Sequence, residues 1–293
     1  MKALPLVLIS LVASLSSRHE QQPVFSTRTE LVRIDVLVTD GRGSIAGLQA
    51  QDFEVFDNGM AQRIDRVLRE DASLEAWLVL DQSGSVRSQV GELEKAARTF
   101  LAQLTSRDRV GLLTFRHGVT LHFGLSPVPL SLEEFPEIRA EGYTSLRDAI
   151  AVALALRDKQ MDRAMVLVLS DGMDTMSWLT ETQLSTSVER SEAVIYPVAT
   201  PEYQPRTSGA RYLQRVADQT GGRVVRSENG TTLSATLHAV MAEMKSRYVL
   251  TYYPSGVATS GWHEVRVRLR TRGGKVRARR GYYAVDAPTG PKQ

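Results

Sequence analysis

The 293-residue sequence contains no cysteine, which excludes disulfide cross-links and attachment of a lipid through an N-terminal cysteine. Beyond its first residues it has no apolar run approaching the roughly 20 residues that a membrane-spanning helix needs. It also lacks a strong charge imbalance: charged residues make up 24% and the formal net charge is +3, so composition does not point to nucleic acid as a partner. Internal repeats and low-complexity linkers are absent as well. What is there, 42% hydrophobic residues over this length, suffices for a sizeable core and is too apolar for a disordered chain.

Lys2, an apolar stretch from Ala3 to Leu15, and small residues at Ser14 and Ser16 read as an export signal over residues 1–16. The stretch is too short to span a bilayer comfortably, so removal is expected rather than permanent anchoring. The mature protein is then expected in the periplasm or secreted, with no stable membrane anchor. Its oligomeric state is not set by the sequence.

Between Thr29 and Thr39 apolar and polar residues alternate, the period of a strand, and Asp40-Gly-Arg-Gly43 makes a turn. Phe53-Glu-Val-Phe56 and Gln62 to Leu68 give two further strands around Asp57-Asn-Gly59, so residues 25–70 read as an all-β segment. From Glu75 short apolar runs alternate with amphipathic segments, the signature of β-α units on a mainly parallel sheet. Strands are expected at Ala76–Leu80, Val110–Phe115, Thr120–Phe123, Met165–Ser170, Ala193–Val198 and Arg223–Val225. Helices are expected at Val90–Leu104, Leu146–Leu156, Glu181–Arg190, Ala210–Gln219 and Leu233–Lys245, two of them opened by capping boxes, Ser145 with Asp148 and Thr180 with Gln183. The connection Arg116-His117-Gly118-Val119 is too short for a crossover and makes an antiparallel edge hairpin. After Ser246 the chain returns to strands, over 247–285. The fold class expected is α/β, a doubly wound, mainly parallel sheet over 74–246 with one antiparallel edge strand, inserted in a small β-domain built from both flanks.

One strand, Ala76-Trp-Leu-Val-Leu80, runs into Asp81-Gln-Ser-Gly-Ser85, which in near-extended geometry aims a carboxylate and two hydroxyls the same way. Another, Met165-Val-Leu-Val-Leu-Ser170, delivers Asp171-Gly172 at its own carboxyl end, where open α/β sheets form their ligand crevice. Thr144, just before a helix, can bring a third hydroxyl. Two carboxylates and three hydroxyls are hard oxygen donors suited to Mg²⁺, Mn²⁺ or Ca²⁺ rather than a soft metal. They are too few to fill about six positions, so water or a ligand carboxylate completes the shell.

Asp81-x-Ser83-x-Ser85, Thr144 and Asp171-Gly172 together resemble the metal-ion-dependent adhesion site of von Willebrand factor type A domains. Leu213-Gln-Arg-Val-Ala-Asp-Gln-Thr-Gly-Gly222 resembles the late helix and turn of that fold, and the likeness covers about Glu75 to Ser246. The flanks, notably Asp52-Phe-Glu-Val-Phe-Asp-Asn-Gly59, Arg247-Tyr-Val-Leu-Thr-Tyr-Tyr-Pro254 and Arg279-Arg-Gly-Tyr-Tyr283, resemble the VWFA-related family of acidobacterial genomes. The resemblance implies that Ser83 and Ser85 coordinate directly, that Thr144 joins when ligand is bound, and that Asp81 and Asp171 act partly through water. It implies a non-enzymatic, exported, cation-dependent binding or adhesion module that meets a protein ligand through a carboxylate.

A metal-assisted hydrolase using Asp81 or Asp171 as a base lacks support from histidine spacing or a Gly-x-Ser-x-Gly elbow, and a structural envelope protein with a vestigial site is disfavoured by the intact donor set. The basic run Arg266, Arg268, Arg270, Arg272, Lys275, Arg277, Arg279 and Arg280 reads as a solvated hairpin face rather than a docking surface. Tyr248, Tyr252 and Tyr253 read as sheet packing, and His117 as decoration of a turn.

Overall fold

The computed structural model describes residues 31–69, 72–127, 139–158, 160–200, 203–226, 232–270 and 273–285. The expected export signal and the start of the first β segment lie outside them. In chain order come β1 (Val32–Thr39), β2 (Phe53–Asp57), β3 (Met60–Gln62), β4 (Ile64–Leu68), β5 (Leu74–Asp81), α1 (Val90–Leu101), β6 (Arg109–Phe115), β7 (Val119–Pro127), α2 (Leu146–Ala155) and β8 (Arg163–Ser170). Then follow α3 (Glu181–Glu189), β9 (Val194–Ala199), α4 (Ser208–Thr220), β10 (Val225–Arg226), α5 (Leu233–Ser246), β11 (Tyr248–Tyr252), β12 (Gly261–Leu269), β13 (Lys275–Arg277) and β14 (Gly281–Ala284).

All eight residues of β5 and of β8 are buried, which is why these segments read as unbroken apolar runs instead of alternating ones. They form the middle of a six-stranded sheet of order β10-β9-β8-β5-β6-β7. Its pairs are parallel except for β6 with β7, the expected edge hairpin. One face packs under α1 and α5. Helix α1 buries Leu93, Ala96, Ala97, Phe100 and Leu101, the three-and-four spacing of an amphipathic helix. The other face packs under α2, α3 and α4, through residues such as Leu146, Ile150, Leu184 and Leu213.

Strands from both flanks interleave in two further antiparallel sheets, β13-β1-β11-β4 and β14-β12-β2-β3. Ile34, Val36, Phe53, Val55, Tyr248 and Leu250 fill the core between them. On β12 the exposed Arg266 and Arg268 alternate with buried Val265 and half-buried Val267, the solvated face expected. Arg279 departs from that reading: it is buried, donating from Nε to the Gly281 carbonyl and from Nη2 to that of Glu189. Tyr253 departs too, being exposed where Tyr248 and Tyr252 are buried, because β11 ends at Tyr252.

Where the flanking sheets meet the central one, cations are buried. Arg247, between α5 and β11, is fully buried, and Arg163, at the start of β8, nearly so. Arg163 Nη2 donates to the carbonyls of Arg69 and Arg247 and Nη1 to those of Met244 and Lys245. The Asp35 carboxylate stands 4.0 Å from Arg163 Nε, and its Oδ1 accepts no hydrogen bond. Burial therefore outweighs the attraction of Arg247 and Arg163 and pushes this acid up to about 6.

A raised acid stabilises the fold fully below its unfolded value of 3.8, and the contribution is lost as pH rises through about 6. A shift of this size corresponds to about 3 kcal/mol. Asp35→Asn, which mimics the protonated side chain, is expected to flatten the fall in stability between these pH values and to leave the neutral-pH protein at least as stable as the wild type. Denaturant unfolding across that pH range checks it; an unchanged slope would reject the assignment.

Candidate functional site

The order of the central sheet decides where the site lies. From β5 the chain moves to β6 and β7 on one side, then returns to β8 on the other, so the switch point falls between the carboxyl ends of β5 and β8. Asp81 closes β5, and Asp171 follows β8 directly. Both are buried, as are Ser83 and Thr144.

The loop after β5 is not extended throughout, as the alternation of Asp81, Ser83 and Ser85 had suggested. Ser83 is extended, but residues Gly84–Gln89 turn into a 3-10 helix. The turn itself brings the two hydroxyls together, with Ser83 Oγ 3.0 Å from Ser85 Oγ. The Asp81 carboxylate is held on both oxygens: Oδ1 accepts the Ser83 amide at 2.8 Å and Oδ2 the Ser170 hydroxyl at 2.7 Å. Ser170 belongs to the site for this reason; it read only as the end of a strand.

The third segment is stitched on by its backbone. The Gly84 amide donates to the Gly142 carbonyl (3.2 Å) and the Glu141 amide to that of Gln82 (2.8 Å), bringing Thr144 to the loop of Ser83 and Ser85. Gly142 has φ +80°, and a Cβ there would lie 2.1 Å from His117 Cε1, a clash with the ring. His117 also meets Tyr143 edge to face. The histidine of the hairpin turn thus buttresses the Thr144 loop, a role that only the close glycine contact reveals.

Thr144 is fixed by its main chain: its amide donates to Thr175 Oγ1, and its carbonyl accepts the amides of Thr175 (2.9 Å) and Met176 (3.0 Å). Its hydroxyl bonds to no described residue. The capping box expected at Ser145 and Asp148 does not form. Ser145 Oγ donates instead to the Arg116 carbonyl, and Asp148 accepts the amides of Trp178 and Leu179. The box at Thr180 and Gln183 forms as expected. Asp171 Oδ1 accepts the Met173 amide at 2.9 Å, and Gly172 turns the chain at φ +84°.

Burial pushes the Asp81 acid up to about 6; the bonds from Ser83 and Ser170 pull against this, and the charge of Asp171 adds to it. Two ionised carboxylates in one buried crevice disfavour each other, which a divalent cation would relieve. Among the described residues no group of three or more His, Asp or Glu side chains is positioned to hold a metal. The site here is of another kind, two carboxylates with three hydroxyls, and that hard-oxygen set fits Mg²⁺, Mn²⁺ or Ca²⁺.

Residues 76–173, from the middle of β5 to just past Asp171, match the family profile described as the von Willebrand factor type A domain. The chain carries a von Willebrand factor type A domain. Its six-stranded sheet has the fold of a solved von Willebrand factor type A structure from Catenulispora acidiphila. That structure is 14% identical, with a TM-score of 0.53, over 82% of this chain and 75% of that one. An aerotolerance-related membrane protein from Bacteroides fragilis is 15% identical over 58% of this chain and 98% of its own, at a TM-score of 0.45. The PilB minor pilin from Streptococcus sanguinis is 10% identical over 60% of this chain and 62% of its own, at a TM-score of 0.46. No curated protein matches. At these identities the likeness is one of fold, and what this A domain does has to be argued from its own crevice.

Proposed function

We propose that the A domain is a cation-dependent binding module acting outside the cytoplasm. Asp81, Ser83, Ser85, Thr144 and Asp171 would hold Mg²⁺, Mn²⁺ or Ca²⁺, and a protein ligand would be engaged through a carboxylate. The observation that supports this reading is the convergence, at the switch point of the sheet, of the three segments that carry these five hard-oxygen residues. A bound cation would supply a positive centre with an open position for an anionic ligand. The residues around it do the positioning: Ser170 and the Ser83 amide orient Asp81, the 3-10 turn pairs Ser83 with Ser85, and Thr175 fixes Thr144. Type A domains generally serve as interaction modules without catalysis, which agrees with a site holding no histidine base among these residues. Among the described residues no helix is long and apolar enough to cross a membrane, and residues 1–16 would act as the export signal.

The test is the thermal unfolding midpoint in chelator, Mg²⁺, Mn²⁺ or Ca²⁺. A cation about a hundredfold above its Kd is expected to stabilise the folded chain by about 2.7 kcal/mol and raise the midpoint by several degrees. Asp81→Ala is expected to remove the rise while the domain still unfolds cooperatively. A rise that persists undiminished in Asp81→Ala, or none in the wild type with any of the three ions, overturns the proposal.

A further inference from the structure

The two loops that flank the site carry large apolar side chains turned to solvent. Trp178 is 93% exposed, Tyr143 59%, Met173 52% and Met176 46%, four of the eleven exposed large hydrophobics among the described residues. A tryptophan so open to water is unusual, since its ring is normally mostly buried. Each of the four is tied to the site or to the helix behind it. Tyr143 adjoins Thr144, the Met173 amide bonds Asp171, the Met176 amide bonds the Thr144 carbonyl, and the Trp178 amide bonds Asp148 on α2.

The loop is also preorganised. Asp174 accepts the Arg147 amide (2.8 Å) and the Ser177 hydroxyl (2.6 Å) and pairs with the Arg147 guanidinium (3.2 Å), while Arg147 Nε donates to the Leu179 carbonyl (2.6 Å). Polar groups of the loop are thus spent inward on holding its shape, and the side chains shown to solvent are apolar. This argues against a saccharide, whose hydroxyls need polar partners beside an aromatic ring. It also argues against an anionic lipid surface, because the neighbouring cations Arg116 and Arg147 are paired with Glu141 and Asp174.

Resting on the cation reading above, the geometry points to a composite surface for a polypeptide that presents one acidic side chain with apolar side chains immediately beside it. The carboxylate meets the cation at Asp81, Ser83, Ser85, Thr144 and Asp171. The apolar neighbours lie on Trp178, Met176, Met173 and Tyr143, residue types that anchor protein interfaces at a low entropic cost when their backbone is already fixed. Charge complementarity selects the acidic residue, and the rim selects its neighbours.

The test uses short synthetic peptides with a central glutamate flanked by leucines, and versions flanked by serines or centred on glutamine. Binding to the wild type in Mn²⁺ is read by tryptophan emission and calorimetry. Leucine-flanked glutamate is expected to bind at least about tenfold more tightly than either control, to shift emission to shorter wavelength and to be released by chelator. Trp178→Ser is expected to abolish the leucine preference and the emission shift while keeping the cation-dependent rise in unfolding midpoint. If no cation raises the midpoint, the underlying reading fails. If the rise is present but leucine and serine flanks bind alike, or neither binds, the rim proposal alone is overturned. A leucine preference that survives chelator also overturns it, as does phosphatidylglycerol-vesicle binding lost in Trp178→Ser, which would assign the rim to membranes.

Discussion

Arg247→Ala is expected to lower the free energy of unfolding by about 3–5 kcal/mol, the range for breaking a buried charge network by removing one member. Arg247 is fully buried, donating from Nη1 to Tyr196 Oη at 3.0 Å and from Nη2 to the Gly221 carbonyl at 2.7 Å, with Glu243 3.9 Å away. Alanine leaves a cavity, takes a donor from the Gly221 carbonyl while Tyr196 keeps only its bond to Glu243, and withdraws one of the three cations, Arg247, Arg163 and Arg157, that oppose the burial of Asp35. Arg247→Lys is expected to recover little, because one ammonium on a flexible stem cannot reproduce a planar fork spread over several acceptors. Urea unfolding measures both. The cation-dependent rise should survive in Arg247→Ala wherever the protein is folded, since the site lies at the other end of the central strands. A loss below about 1 kcal/mol would mean that the network contributes no more than an exposed pair.

The second large effect is expected at Asp57, in the flanking sheets. Its carboxylate is fully buried and accepts the hydroxyls of Tyr252 (2.9 Å) and Tyr282 (2.7 Å), with His263 Nδ1 2.7 Å from Oδ1. Burial, followed by the neighbouring phenol or carboxylate, holds both tyrosines well above the ordinary phenol range, so they remain donors. Asp57→Ala strands the Tyr252 hydroxyl and leaves Tyr282 and His263 only each other, at 3.1 Å, and a loss of about 3–5 kcal/mol is expected. Tyr252→Phe, which removes one donor and leaves the carboxylate two partners, is expected to cost about 1 kcal/mol. Equal losses from the two substitutions would show that Asp57 does not organise the cluster.

Both networks mark the limit of what could be read from sequence. Central strands were legible because β5 and β8 are buried on both faces and therefore read as unbroken apolar runs. The position of the candidate site was legible because its two carboxylates, Asp81 and Asp171, sit at strand ends, and the crevice forms there. Arg279 read as part of a solvated face, and the burial of Arg163 and Arg247 went unread, since nothing local distinguishes an arginine that satisfies carbonyls from distant segments. Ser145 and Asp148 had the spacing of a capping box, but the Arg116 carbonyl and the amides of Trp178 and Leu179 compete successfully for them. For Met173, Met176 and Trp178, composition alone suggests core; their exposure follows from the way Asp174 and Arg147 fold the loop outward.

The strands that lead into and out of the central sheet, β4 and β11, are antiparallel neighbours in one flanking sheet. Both covalent connections therefore leave the same end of the A domain, opposite the crevice. Tension applied at the crevice against an anchored flank would draw β4 and β11 in the same direction, with no tendency to slide one past the other. The load would fall on the ladder between β11 and β1 and on the carbonyl contacts of Arg163 and Arg247. If the crevice binds as proposed, the buried arginines would act as a mechanical clamp in series with it.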